Sequence, residues 1–535
     1  MIPLTDRARL ARGVMVIALV ALPASRLNAR PDDPNAAQPE GAAVAPAAAS
    51  LSHSELSGDV DRLSTYDIYG NRDPRFSRWN PYQQNPLKAD IPVFGNSGFL
   101  ELIARFNSNA KEVHNLGSNL KFDDTEKQNL VAGFEIKKDD DTFYPSPIKF
   151  RLLGNFQIIN PPGSNVQSIQ NGALQEAVLD VRAFEIGGNL NLSFFEAGVR
   201  PFKSDLNGLI LNDTVDEGRL FGELKKNLWR YSVAFIRTLP KDPKSNLISF
   251  NSDLLGTHQT VAALNVQRDD LVPGWNAEFT FHANRDTSAS SPAQSADLNA
   301  EYAGIAFNGH VGRFIFQPAA YYAFGTDDRN GLTDSTAATV LGKQDIRAYL
   351  GFLDVRYPMD YIQWRAGVLY TSGDRDPNDG KAEGFDSISD SINLFGGPAS
   401  FFVGQPIGLA GRKLVNVNSA IPSFRAGTRS NFVNPGIFLA NVGADFVMTP
   451  KLTAAVNVNH ISFVNTSSLS FATGITSIGK DVGLEEVVAL RWRPFLNENF
   501  VVEGGGSRLT PGDGLKTLVG KDSATAVFLN VLAVY

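Results

Sequence analysis

From Phe99 onward the chain alternates apolar and polar residues in segments of roughly ten, the pattern of strands that have lipid on one face and water on the other. In the segment Trp275 to Arg285, Trp275, Ala277, Phe279, Phe281 and Ala283 share one face of an extended strand. Asn276, Glu278, Thr280, His282 and Asn284 take the other. Ile148, Phe150, Leu152, Phe156 and Ile158 oppose Lys149, Arg151, Asn155 and Gln157 in the same way. So do Trp229, Tyr231, Val233 and Phe235 against Arg230 and Ser232, and Ile362, Trp364, Ala366, Val368 and Tyr370 against Gln363 and Arg365. A soluble sandwich alternates too, but its core seldom takes so many strands with charge on the second face. No apolar run after the N-terminus reaches the length of a membrane helix, so any crossing of a bilayer is by strands.

Segments near 99–106, 129–137, 147–158, 174–186, 190–200, 218–225, 228–238, 258–268 and 275–284 read as strands. Nine more follow near 297–309, 312–324, 344–357, 361–372, 436–448, 452–463, 482–493, 499–508 and 525–535. The total is about eighteen, an even number that puts both chain ends on one side. Short turns, such as Gly187-Gly188, Gly309-His310 and Met359-Asp360, alternate with long loops. The expected fold is all-β: a transmembrane antiparallel β-barrel occupying 99–535, with an irregular periplasmic segment before it. Pro318 cannot donate a ladder hydrogen bond, which predicts a bulge or an early strand end there. In the final strand Leu529, Val531, Ala533 and Tyr535 share a face, and this alternation closing on an aromatic resembles the assembly signal of bacterial outer-membrane proteins. That resemblance implies the outer membrane as location, with its lipid, lipopolysaccharide and barrel assembly machinery as partners.

Before the barrel, Arg7, Arg9 and Arg12 precede an apolar run from Val14 to Leu22 and small residues up to Ala29, so 1–29 reads as a signal peptide. Residues 30–56 read as a disordered Pro/Ala linker. Residues 57–98 include Arg72, Arg75, Arg78, Trp79 and Tyr82 among prolines that forbid a long helix or central strand. This segment is expected to be a strap or plug, or to dock on a periplasmic partner. The net charge is −7 and becomes more negative once residues 1–29, with four Arg and one Asp, are removed. Nucleic acid is therefore not an expected partner. The chain has no Cys, which removes disulfides and thiolate metal sites.

By the same alternation, Lys149, Arg151, Arg182, Arg230, Arg347, Arg365 and Arg491 are expected to line the lumen and set its ion selectivity. Lys137, Arg237 and Arg493 join them, and Glu135, Asp180, Glu278, Glu301, Asp354 and Asp445 supply carboxylates. Arginine and carboxylate ladders also stiffen the wall of any wet barrel. The loop 373–435 carries Leu394, Phe395, Phe401, Phe402, Ile407 and Leu409, which need a surface to bury against, and is expected to fold inward as a constriction. It opens with Asp374, Asp376, Asn378 and Asp379, oxygens spaced as in a calcium loop but without the bidentate Glu of an EF-hand. Turn chemistry accounts for the same residues. No other cofactor is expected. The six His show no metal spacing and no nucleotide-binding glycine pattern occurs, so an enzyme is not expected.

The run Ser372 to Lys381 with Phe385-Asp386, placed just after a strand, resembles alginate-export-type outer-membrane barrels. The block Gly198 to Gly208 with Arg219 to Gly222 resembles the strand, loop and strand of porin-like barrels. These resemblances imply eighteen strands and a cation-lined lumen. The expected function is a porin-like channel for passive passage of small or anionic solutes. Polysaccharide export, or a scaffold barrel around an exported partner, are the alternatives.

Overall fold

The computed structural model describes residues 91–92, 98–114, 125–138, 146–160, 168–187, 191–225, 228–240, 248–249, 258–287, 297–328, 342–389, 400, 407–408, 416–417, 430–496, 499–520 and 523–535. The expected signal peptide, the expected linker and the Arg72, Arg75, Arg78, Trp79 and Tyr82 segment lie outside them. Within the described residues, eighteen long strands form the wall. The first nine are β1 Gly98–His114, β2 Thr125–Lys138, β3 Ile148–Asn160, β4 Ile169–Glu185, β5 Leu192–Lys203, β6 Asn212–Leu224, β7 Trp229–Thr238, β8 Gln259–Val272 and β9 Trp275–Asp286. The second nine are β10 Leu298–Val311, β11 Phe314–Asp327, β12 Gln344–Met359, β13 Ile362–Thr371, β14 Ile437–Thr449, β15 Leu452–Phe463, β16 Asp481–Trp492, β17 Phe500–Pro511 and β18 Ala524–Val534. Two short helices, α1 Ser467–Thr473 and α2 Asp513–Val519, sit in the last two long loops.

Each long strand pairs antiparallel with its sequence neighbours, and β1 pairs with β18 from Arg105↔Val534 to His114↔Thr525. The sheet is therefore a closed barrel. Tyr535 finishes the seam, its N–H donating to the Ala104 carbonyl at 2.8 Å. Below it Ile91–Pro92 pairs with Phe99 and Leu100, on the stretch of β1 that β18 does not reach.

Every strand expected from the alternation is present, with the outward face apolar at mid-height. Phe235 is 70% exposed and Val442 62%, whereas Glu135 and Arg151 on inward faces are 1% and 3%. In water each such Leu or Phe would forfeit about 1.5–3 kcal/mol of burial, so the outer wall is built for lipid. Aromatic girdles bound this belt. At the end with short turns Trp275 stacks on Phe316 at 6.2 Å and Phe314 lies 4.8 Å from Tyr357. At the end with long loops Tyr349 stacks on Tyr370 at 5.7 Å.

The inward face has two zones. Near the short turns it is charged. Near the long loops it is apolar, with Ile346, Ala348, Leu350 and Phe352 on β12 and Ile461 and Phe463 on β15 joined to buried loop residues in one hydrophobic core. This split overturns part of the expected lumen lining. Gln344, Ile346 and Ala348 point inward, so Arg347 points outward beside Asp345, 59% exposed, on the face of Tyr349. Arg237, paired with Asp216, and Glu301, between buried Ala300 and Tyr302, also face outward.

Pro318 makes no bulge. Its rung to β12 is intact, and on the β10 side the ladder keeps one register while the rungs of Phe307 and Asn308 are absent. The missing N–H is thus accommodated by two open rungs.

We predict that Val442→Arg, which places a cation in the middle of the lipid-facing belt, lowers stability by about 2–4 kcal/mol in urea unfolding from bilayers, whereas Val442→Leu leaves it within error. Equal stability of the two variants would contradict the assigned outer face.

Candidate channel lining and constriction

Strand pleating places the sequence-predicted cations of the short-turn half in a row of carboxylates. Lys149 pairs with Asp180 on the neighbouring strand. Arg151 Nε donates to Glu135 at 2.8 Å and its Nη1 to Glu176 at 3.3 Å. Lys137 reaches Glu101 at 3.3 Å. Arg230 lies 3.1 Å from Asp269 and 3.7 Å from Glu223, and Arg365 is 2.8 Å from Asp445. Arg491 is 3.6 Å from Glu503. Arg182 shares the inward face of β4 with Asp180, half-buried. The structure therefore gathers six of the seven predicted lumen cations and leaves Arg347 outside.

Further residues join this network. Glu176 shares the inward face of Asp180 and Arg182 and reaches Arg151, and β4 bulges between the partners of Leu153 and Gly154, so that Gln175 faces inward as well. Asn155 donates to Gln175 beside it. Glu196, buried on β5, accepts from both Arg200 and Arg219, and the Arg219 guanidinium lies 4.3 Å above the Phe221 ring. The small residues of the wall serve this network: a Cβ at Gly443 would meet Asn457 Oδ1 at 2.5 Å and Arg365 Nη2 at 3.2 Å. Buried pairs of this kind gain little net free energy, but losing one partner strands the other.

Two loops fold into the barrel above this zone. Ser204 to Leu211, between β5 and β6, is tied down by Asp205, whose carboxylate accepts from the N–H of Leu209 and Ile210 and from Tyr321 Oη at 3.0 Å. Leu206 N–H donates to Glu278 Oε1 across the lumen wall. The loop between β13 and β14 bonds to this strap, Ile388 N–H and Ser389 N–H both donating to the Ile210 carbonyl at 3.0 Å. Its other anchor is Tyr302, which donates to the Asp386 carbonyl and packs against Phe385 and Phe432 at 6.0 and 6.2 Å. The expected inward fold of 373–435 thus holds for its described ends. Leu394, Phe395, Phe401, Phe402 and Leu409 lie outside the described residues, and Ile407 belongs to a two-stranded ribbon with Asn416–Val417.

The opening of this loop is a series of turns, as turn chemistry alone would give. Asp374 Oδ1 accepts from Asp376 N–H, Asp376 Oδ1 from Asn378 N–H, and Asp379 Oδ1 from Lys381 N–H. One oxygen of each carboxylate is thus turned to its own backbone, and among the described residues no group of three His, Asp or Glu converges on a metal position. Burial pushes the Asp374 carboxyl up to about 7, with Asp379, Glu383 and Asp376 adding to the rise against the lowering by the Asp376 N–H.

No protein-family model and no curated protein matches the chain. Solved structures similar in fold include Acinetobacter baumannii OccAB1, at 12% identity over 81% of this chain and 96% of that one, with a TM-score of 0.48. A BenF-like porin from Pseudomonas fluorescens matches at 9% identity over 82% and 98%, with a TM-score of 0.48. Pseudomonas aeruginosa OpdQ matches at 11% over 82% and 97%, with a TM-score of 0.47.

Two outcomes follow from this geometry. Arg151→Met, which strands two buried carboxylates, is predicted to cost about 3–5 kcal/mol, and adding Glu135→Leu to recover part of it; an additive double-mutant cycle would show that the pair does not couple. For Asp374 the folded-state value lies above the unfolded value of about 3.9, so its protonated form favours the folded loop. That contribution is complete below about pH 4 and is lost as pH rises through about 7. Amide-exchange protection of 372–389, corrected for intrinsic rates, is predicted to fall between pH 5 and 8, and Asp374→Asn to remove the dependence.

Proposed function

We propose that the protein is an outer-membrane channel through which small polar solutes pass passively. The observation that carries this reading is the closed eighteen-strand barrel with an apolar outer belt and a charged inner face at its short-turn end. Hydrocarbon demands that every backbone polar group be bonded within the protein, and closure does this while leaving an interior for polar groups. The two inward loops then make the narrow part, so a solute is selected where Ser204 to Leu211 meets the end of β13 and its loop.

The inner cations Lys149, Arg151, Arg182, Arg230, Arg365 and Arg491 are the groups that would favour anions. Because most have a carboxylate within ion-pair distance, the lining is close to charge-compensated and the preference should be modest. Removing a cation leaves its carboxylate facing the lumen, so the change should exceed the loss of one charge's attraction.

The test is conductance of the purified protein in a planar bilayer under a salt gradient. A stable open conductance is expected, and its reversal potential should move toward cation preference in a combined Lys149→Gln, Arg230→Gln, Arg491→Gln variant. Absence of conductance from protein shown to be folded would overturn the channel reading; unchanged selectivity in the variant would overturn the role of these cations.

A further inference from the structure

Beneath the strap Ser204 to Leu211, three neighbouring strands present one short row of neutral polar side chains. Ser232 on β7 stands opposite Asn265 on β8, and Asn265 opposite Thr280 on β9. His282, one step along the same face of β9, lies against the Ser204 backbone. Ser204, Ser232, Asn265, Thr280 and His282 are all fully buried. The next residue of the row is Gly304, where a Cβ would meet the Tyr321 ring at 2.2 Å and Thr280 Oγ1 at 2.9 Å. Glycine here lets the Tyr321 ring close the side of the space.

Ser204 Oγ, Ser232 Oγ, Asn265 Oδ1 and Thr280 Oγ1 have no protein hydrogen-bond partner, and the His282 ring, bonded to the Ser204 backbone, leaves its other nitrogen without one. Buried polar atoms in folded proteins are nearly always bonded, and these come from a wall and a strap that face each other. The charged groups beside them are engaged: Asp205 by Leu209, Ile210 and Tyr321, and Glu278 by Leu206. The chemistry of the row limits what can fill it. Asn265 Oδ1 only accepts, one nitrogen of a neutral imidazole donates while the other accepts, and the three hydroxyls do either. A carboxylate or phosphate, which only accepts, would leave Asn265 unmet. An ammonium would bury a charge among neutral groups. A hydroxyl both donates and accepts without bringing a charge.

We propose that the interface between the strap and β7 to β9 is a binding site for hydroxyl groups, supplied by ordered water or by a small neutral polyol. The site is independent of whether the barrel conducts.

The test uses the full-length folded protein and the temperature at which half of it loses its compact gel mobility. Thr280→Val keeps the shape and removes one hydroxyl; Ser232→Ala does the same from the neighbouring strand and carries the comparison if the first variant does not fold. A lower midpoint than wild type is expected, since each hydroxyl is bonded to the occupant. A midpoint equal to or above wild type would overturn the site, because removing an unmet buried hydroxyl is neutral or stabilising. Repeating the comparison in molar glycerol identifies the source. General exclusion of glycerol raises both proteins alike, so a widened gap assigns a polyol and a gap that does not widen assigns water.

Discussion

The whole structure depends on one constraint: a backbone amide facing hydrocarbon must find its partner within the protein. An open sheet of seventeen pairings would leave two unpaired edges in lipid, so the pairing of β1 with β18 is what makes the other seventeen usable. Its last bond is made by the main chain of Tyr535 with Ala104, which ties the final residue into the wall rather than leaving it as a tail. The short antiparallel contact of Ile91–Pro92 then covers the part of β1 that extends past the seam.

Closure fixes the contents of the interior by parity. A strand that turns Phe150, Leu152 and Phe156 to lipid must turn Lys149, Arg151 and Asn155 inward, and an inward charge cut off from bulk water needs a counter-charge. The barrel supplies these across the ladder, Arg151 to Glu135 on one side and to Glu176 on the other. The cations thus brace the wall first and are available to a passing ion second. Any selectivity is a property of pairs, and a single arginine cannot be assigned a share of it.

How far the sequence was legible follows from where this parity rule is valid. All eighteen strands could be read because a two-residue period with lipid outside is a strong pattern over ten residues. Arg347 and Glu301 were misplaced for one shared reason, whereas Arg237, two residues after Phe235, is outward by its strand's own alternation. Arg347 and Glu301 lie in the long-loop half, where the inner face is apolar: Ile346 and Ala348, Ala300 and Tyr302 point into a core made with the loops. There the outer face has left the hydrocarbon belt, so charge outside and aliphatic inside is the stable choice, and apolar-outward reading inverts. Gln175 was missed for a different reason, since a bulge shifts parity by one without any mark in the alternation. The turn oxygens of Asp374, Asp376 and Asp379 fit two chemistries by spacing alone, and only their direction toward their own backbone separates them.

The two inner zones also explain why the inward loops hold a fixed shape. A loop lying in a wet, charged lumen would exchange hydrogen bonds with water at little cost and would not order. Here Phe385, Ile388 and Phe432 meet an apolar wall around Tyr302, and Leu209, Ile210 and Leu211 are buried beside them. Burial orders the loops, and their polar contacts, Tyr302 to Asp386 and Tyr321 to Asp205, set the register in which they lie. The charged zone below is held by its ion pairs. Division of one continuous wall into a loop-holding half and a solute-facing half thus needs only a change, midway along each strand, in which residue types take the inward positions.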